Sequence, residues 1–272
     1  MNENFQICPV VLVHGWRSHP GIWEKLEEKL LEKSIPCWNF SHVAMADKHP
    51  EMIAFSLMKY ICDMREMHHY DGYIDIVSHS MGAGIARYML EVIDGEDKSE
   101  KIRQMIGIGP PNNGSSMAEL FCSGERGRRI MKRLEGVFVP KNFDPLNDPI
   151  VQEFRPGSKT VCRLKSGNLR DDIIYRVILT SNVSGNPKLL PDFNGKTWEL
   201  YGLGKWRMTY FGDGIVPHSD SYLEGAETEI LPFDSERLDM NPFDYSHMML
   251  PKNPEVIDQI IKYVTVPEYS SK

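Results

Sequence analysis

The tightest constraint on the fold lies at residues 73–93. Residues 73–77 (YIDIV) form a short, mostly apolar run, the pattern of a strand covered on both faces. It passes without interruption into Ser78-His79-Ser80-Met81-Gly82, and residues 84–93 then read as helix. A strand that becomes a helix within one tight turn needs small side chains two places before and two after its apex. Larger ones collide with the neighbouring strand and helix. Ser78 and Gly82 meet that demand, and Gly84 adds clearance. Ser80 is then held out at the apex. On this segment alone, a plain turn in which Ser80 caps the helix stays open. His79 points away from Ser80 along such a turn, so it is expected to pack or support rather than to act as its base.

The rest of the chain supplies a matching alternation. Residues 8–13 (CPVVLV) are a continuous apolar run, and Ile22, Trp23, Leu26, Leu30 and Leu31 then recur at helical spacing. A β-like run follows at residues 37–43. Residues 51–67 read as a helix with Ile53, Leu57, Ile61 and Met64 on one face. Further strands are expected at 103–108, 173–180 and 229–233, and a closing helix at 254–264. Alternating strands and helices imply an α/β domain with a mostly parallel central sheet flanked by helices. A chain of 272 residues fits one such domain. Two stretches break the pattern: residues 111–171, expected to form a partly helical cap or lid insertion, and residues 182–211, an excursion rich in aromatic residues.

Composition removes several classes of function. The net charge is −7 with no basic block, so nucleic acid is not an expected partner. A short basic cluster (Arg126, Arg128, Arg129, Lys132 and Arg133) reads as a solvated helix face. Residues 1–6 (MNENFQ) show no positive or apolar leader region, and no stretch approaches the about 18 apolar residues that a spanning helix needs. A cytoplasmic protein without stable membrane insertion is therefore expected, and its oligomeric state is not legible. Five cysteines (Cys8, Cys37, Cys62, Cys122 and Cys162), widely spaced and without a CxxC pair, read as reduced, mostly buried thiols. The scattered Asp residues name no calcium ligand set, and neither a metal nor a cofactor is expected.

The first apolar run ends in His14-Gly15-Trp16, and residues 108–115 read IGPPNNGS. Together with the SHSMG turn, these segments resemble microbial triacylglycerol lipases and related carboxylesterases of the α/β-hydrolase superfamily. The resemblance spans nearly the whole chain and is weakest across the 120s to 170s and the aromatic excursion. It implies an α/β-hydrolase fold, with Ser80 as nucleophile on its elbow. The oxyanion would be held by the backbone N–H groups of Met81 and Trp16. Partners in this architecture follow in the order serine, acid, histidine. His247, in the polar loop before the closing helix, is the expected base. His218 is the competitor, lying too close to the acid and ahead of the last strand. Asp213, in Gly212-Asp213-Gly214, is the expected acid, with Asp220 and Asp192 as fallbacks.

The resulting expectation is a carboxylesterase or lipase acting through an acyl-enzyme on an ester or lipid of short to medium acyl chain. Met117, Leu120, Phe121, Phe138, Leu189, Leu190, Phe193, Trp198 and Trp206 are available to line its acyl pocket, although a buried core accounts for most apolar residues in any domain. A phospholipase, thioesterase, amidase or acyltransferase on the same machinery is the alternative. A binding protein on a disabled hydrolase scaffold is the reading from a different class.

Overall fold

The structure, a computed structural model, describes residues 7–265 apart from residue 203. Residues 1–6, on which the absence of a leader is read, lie outside the described residues. Five strands come first in the chain: β1 (Val10–Val13), β2 (Cys37–Phe40), β3 (Ile74–His79), β4 (Ile102–Ile108) and β5 (Ile174–Thr180). A hairpin, β6 (Thr197–Tyr201) and β7 (Lys205–Thr209), stands apart, and β8 (Glu227–Leu231) closes the main sheet. That sheet has six strands in the order β2-β1-β3-β4-β5-β8, and every pairing in it is parallel.

Alternation along the strands divides the core in two. Val10, Leu12, Val77 and Ile106 pack with Leu26, Leu30, Ile257 and Ile260 of α1 (Glu24–Glu32) and the last helix. Val11, Val13, Ile74 and Ile76 pack on the other face with Ile53, Leu57 and Ile61 of α2 (Pro50–His68) and Ile85 of α3 (Met81–Arg87). The α3 helix continues as a π-helical turn, Tyr88–Ile93. Because both faces are covered, the central strands carry apolar residues on both sides, which is why their apolar stretches are legible as runs rather than as strict alternation.

Chain order around the sheet reverses between β1 and β3, since β2 lies on one side of β1 and β3 on the other. Parallel sheets open a crevice at the carboxyl ends of strands at such a reversal. In register, Val13 lies beside Ser78, Ser78 beside Gly107 and Gly107 beside Val177. The segments that follow β1, β3 and β4 therefore emerge side by side.

Residues 111–171 carry four short helices: α4 (Ser116–Phe121), α5 (Gly124–Leu134), α6 (Pro149–Glu153) and α7 (Lys159–Ser166). The helices α8 (His218–Ser221), α9 (Ser235–Met240) and α10 (Pro254–Thr265) complete the chain. Among the described residues, no helix is long and apolar enough to cross a membrane.

Three expectations need correction. The second half of the aromatic excursion forms the antiparallel β6–β7 hairpin, in which Trp198 pairs with Met208 and Leu200 with Trp206. Its signal, alternating residues on either side of Gly202 and Gly204, is the usual one for a hairpin. The last strand ends at Leu231 rather than residue 233, because Pro232 has no N–H to continue the ladder. Among the described residues no disulfide joins the thiols, and only Cys8 is buried, whereas Cys62 and Cys162 are exposed on helices.

Gly82 marks the closest approach in the β1–β3–α3 unit. A methyl group there would lie 2.5 Å from the His14 carbonyl oxygen and 2.6 Å from that of Val13. Both are backbone atoms and cannot rotate away. Gly82→Ala is expected to destabilise the protein by about 1–3 kcal/mol, read as a lowered urea midpoint. Gly157→Ala, at a site with open space around it, should leave the midpoint nearly unchanged; equal shifts in the two variants would contradict this packing.

Candidate active site

Ser80 sits between β3 and α3 with φ 54° and ψ −130°, a region that side-chain-bearing residues rarely occupy. The turn is pinned by Ser80 N–H donating to Ile108 O at 2.9 Å and Ala83 N–H donating to Ser80 O at 3.0 Å. Ser78, where glycine is the more usual residue, is fully buried. It satisfies its hydroxyl by donating to Ile106 O on β4 at 3.2 Å.

Two loops deliver partners to Ser80. The segment between β8 and α10 brings in His247, whose backbone N–H donates to Asp213 O at 2.9 Å. Its ring Nδ1–H donates to Asp213 Oδ2 at 2.7 Å, and its Nε2 accepts from Ser80 Oγ at 2.8 Å. The second carboxylate oxygen of Asp213 accepts from the N–H groups of Ile215 (3.0 Å) and Val216 (2.7 Å). Asp213 and His247 are both buried. The three sequence-predicted residues thus form one hydrogen-bonded chain.

Beneath this chain lies Gly109, at φ +52°, where a methyl group would come within 2.8 Å of Asp213 Oδ2 and 3.3 Å of His247 Nδ1. Nothing in the sequence marks this glycine beyond its place just after an expected strand. His79 turns away from Ser80, as expected, and supports His247 instead. Its Nε2–H donates to the His247 carbonyl at 2.9 Å, and the two rings lie 4.7 Å apart. Burial, together with the neighbouring His247, holds the His79 pKa well below the usual histidine range, so His79 stays neutral.

The loop after β1 completes the site. Trp16 packs on Phe121, Phe138 and Phe143, and its indole N–H donates to Asp148 Oδ2 at 3.2 Å. Arg17 donates to the same oxygen at 2.8 Å, while Asp148 Oδ1 caps α6 through Val151 N–H. Asp148 was not foreseen from the sequence; its signal is an Asp-Pro helix start at Asp148-Pro149. Met81 is the first residue of α3, so its N–H has no partner within the helix. The Trp16 N–H donates to no backbone carbonyl or side chain among the described residues. Behind this loop His14 stacks on His42, with ring centroids 3.7 Å apart. Burial, reinforced by His42, pushes the His14 pKa down to about 3, which keeps this pair uncharged.

Ser80 opens onto two clefts that share Trp16 and Phe138 as a partition. One is apolar and includes Met117, Phe121, Ile150, Val151 and Ile215. The other, larger and more polar, includes Arg17, Ser18, His19, Val137 and His247. Of the apolar residues singled out in the sequence, Met117, Phe121 and Phe138 line these clefts. Leu120, Leu189, Leu190 and Phe193 are buried in the core, and Trp198 and Trp206 pack against it from the hairpin. Ile150 and Val151, and Ile215 and Val216 of the segment after Asp213, also line the apolar cleft; tertiary approach brings them there, and no local pattern marks it.

The fallback residues are engaged elsewhere. His218 Nε2–H donates to Thr180 O at 2.8 Å, and Asp192 lies in a short turn at Pro191–Phe193. Asp220 is buried, with its two oxygens accepting from Ser116 N–H (2.6 Å) and Ser116 Oγ (2.8 Å). It ties α8 to the start of α4.

The family described as Lipase (class 2) matches residues 8–128, from just before β1 into α5. Among solved structures, the lipase BlEst2 of Bacillus licheniformis in its mature form is 16% identical, with 97% of this chain and 94% of that chain covered and a TM-score of 0.66. The phospholipase PlaB of Legionella pneumophila is 15% identical, covering 96% of this chain and 60% of that one at a TM-score of 0.59. A metagenomic carboxyl esterase, MGS0156, is 14% identical, covering 96% and 76% at a TM-score of 0.57. No curated protein matches in sequence. The chain has the α/β-hydrolase fold and resembles microbial lipases and esterases.

The environment of Asp220 has a consequence for stability. Burial, only partly offset by the bonds from Ser116, raises its pKa to about 7, against about 4 in an unfolded chain. Between those values the native state binds the extra proton, so this group's contribution is full below about pH 4 and is lost as pH rises through 7. Urea titrations across this range should show Asp220→Asn without that part of the slope, at most about 1.4 kcal/mol per pH unit. A variant with the wild-type slope would rule out Asp220 as its source.

Proposed function

We propose that this protein is a serine hydrolase of carboxylic esters, with Ser80 as nucleophile, His247 as general base and acid, and Asp213 as the group that orients His247. The observation that carries the reading is the Asp213–His247–Ser80 hydrogen-bond chain, 2.7 and 2.8 Å per link, ending on a strained serine that faces an apolar cleft.

In this reading His247 Nε2 takes the Ser80 hydroxyl proton as Oγ attacks the ester carbonyl. Asp213 holds the proton on Nδ1 and stabilises the imidazolium. Negative charge gathers on the former carbonyl oxygen and is met by the N–H groups of Met81 and Trp16. The alkoxide leaves with the proton from Nε2, and water, activated by the same nitrogen, then releases the acid and restores Ser80.

The two clefts suit the two halves of the ester. The leaving oxygen must lie near His247 Nε2, and His247 lines the larger, more polar cleft. The acyl chain then occupies the apolar cleft against Met117, Phe121 and Ile150. The segment carrying α4–α7 supplies most of that wall and acts as the cap.

Purified Ser80→Ala should lose about six orders of magnitude in kcat on p-nitrophenyl esters while unfolding as the wild type does. Asp213→Asn should lose about 10⁴. Asp220→Asn should keep its activity, and only Ser80-containing protein should be labelled by a fluorophosphonate. Full turnover by Ser80→Ala, or loss with Asp220→Asn in place of Asp213→Asn, would refute the assignment.

A further inference from the structure

The basic cluster of α5 is not used by the chemistry at Ser80. Within this helix Gly127, Ile130 and Leu134 are buried. At about 100° per residue these three share one face, and Arg126, Arg128, Arg129, Lys132 and Arg133 spread over about 160° of the opposite one. All five are exposed. Only Arg129 has an ion-pair partner among the described residues, Glu125 on the same helix at 3.4 Å. On a chain of net charge −7, five cations thus stand against the single carboxylate of Glu125 on one outward face.

That face leads directly into the mouth of the site. Three residues beyond α5, Val137 is 51% exposed and lines the cleft that holds Ser80 and His247. Further along the same segment Leu146 is 67% exposed. Between them Phe143 borders a groove with Arg128 and Lys132 and packs on Trp16. Arg17 lies at the same rim, 5.9 Å from the Phe143 ring. The opposing carboxylates here are Glu135 and Asp144, both exposed, and the buried Asp148, which pairs with Arg17 at 2.8 Å.

We propose that this face docks the protein on an anionic lipid surface, with α5 lying against the headgroups and Val137 and Leu146 entering the layer beneath them. Charge complementarity selects the sign of the surface: cations near an anionic leaflet each strengthen binding about fivefold. The exposed apolar pair selects lipid over nucleic acid, because a phosphate backbone offers no apolar phase to receive them. Docking in this orientation presents the mouth of the polar cleft to the lipid. The inference deepens the ester-hydrolase reading by naming where the substrate is met, and its test does not depend on that reading.

Sedimentation of Ser80→Ala protein with sucrose-loaded vesicles separates binding from turnover. Binding is expected to phosphatidylcholine vesicles containing phosphatidylglycerol, and to be at least tenfold weaker on phosphatidylcholine alone, given about 1 kcal/mol per cation near the surface. Replacing Arg126, Arg128, Arg129, Lys132 and Arg133 with Gln should weaken the first by about a hundredfold or more. The same five changes in the otherwise wild-type protein should leave hydrolysis of a soluble p-nitrophenyl ester unchanged, which also reports correct folding. Raising salt should reverse binding of the parent protein, as the screening length falls from ~10 Å at 0.1 M to ~3 Å at 1 M. Equal binding to neutral vesicles, binding that survives the five substitutions, or no vesicle binding would overturn the proposal. So would tighter binding to a DNA duplex than to the anionic vesicles, which would assign the face to nucleic acid. If soluble-ester hydrolysis is absent from the wild type but anionic vesicles are bound, the ester-hydrolase reading fails and the docking face stands.

Discussion

The contact between Gly82 and the carbonyls of Val13 and His14 sets the spacing on which everything at the carboxyl edge of the sheet depends. It lets α3 begin one residue after Ser80, directly against the end of β1. That proximity brings the Met81 N–H, with no acceptor in its own helix, beside the loop that carries the Trp16 N–H, and both residues line the same cleft as Ser80. A side chain at position 82 would separate α3 from β1 and so part the two amides. The strained backbone of Ser80 follows from the same geometry. The chain must leave a strand and enter a helix in less space than any relaxed turn provides.

Around this contact Asp213 and His247 are buried and held by hydrogen bonds at several atoms. The Asp213 carboxylate accepts three hydrogen bonds, two of them from the backbone that follows it. Its orientation is therefore set before His247 arrives. His247 in turn is held at its backbone N–H by Asp213 and at its carbonyl by His79. Because burial keeps His79 neutral, the ring beside His247 adds a hydrogen bond without adding a charge that would repel an imidazolium. His14 and His42 behave in the same way behind the Trp16 loop. Three imidazoles are thus packed close to the site while only the ring bonded to Asp213 has a carboxylate to stabilise its charged form.

The parts of this arrangement legible in the sequence were those made by local pattern. The doubly covered strands read as apolar runs, and Ser78, Ser80 and Gly82 marked the turn by size alone. The resemblance implied an acid and then a histidine after the serine, and Asp213 was picked out by its flanking glycines and His247 by its place after the last strand. The parts that escaped are made by tertiary approach. Gly109 matters because Asp213 and His247, more than a hundred residues away, close over it. Asp148 matters because it is bonded by the Trp16 indole and Arg17 from the far end of the chain. Asp220 was a reasonable rival to Asp213, being a carboxylate in the same short stretch. What separates the two is which groups their oxygens meet: Ser116 for one, His247 for the other.

The same segment that walls the apolar cleft also carries the cationic face of α5, and this shared origin has a physical logic. A helix of eleven residues with the sequence GERGRRIMKRL has little propensity to fold alone in water. It is fixed by burying Ile130 and Leu134 against the body of the protein, which commits its charged face to the outside. The segment after it must then cross back over Trp16, and Phe138 and Phe143 do so by packing on that ring. One set of aromatic contacts therefore positions both the partition between the clefts and the rim beside the basic helix. A change at Trp16 would disturb the wall of the site and the seating of this segment together, so the shape of the cleft and the surface around its mouth are parts of one packed unit.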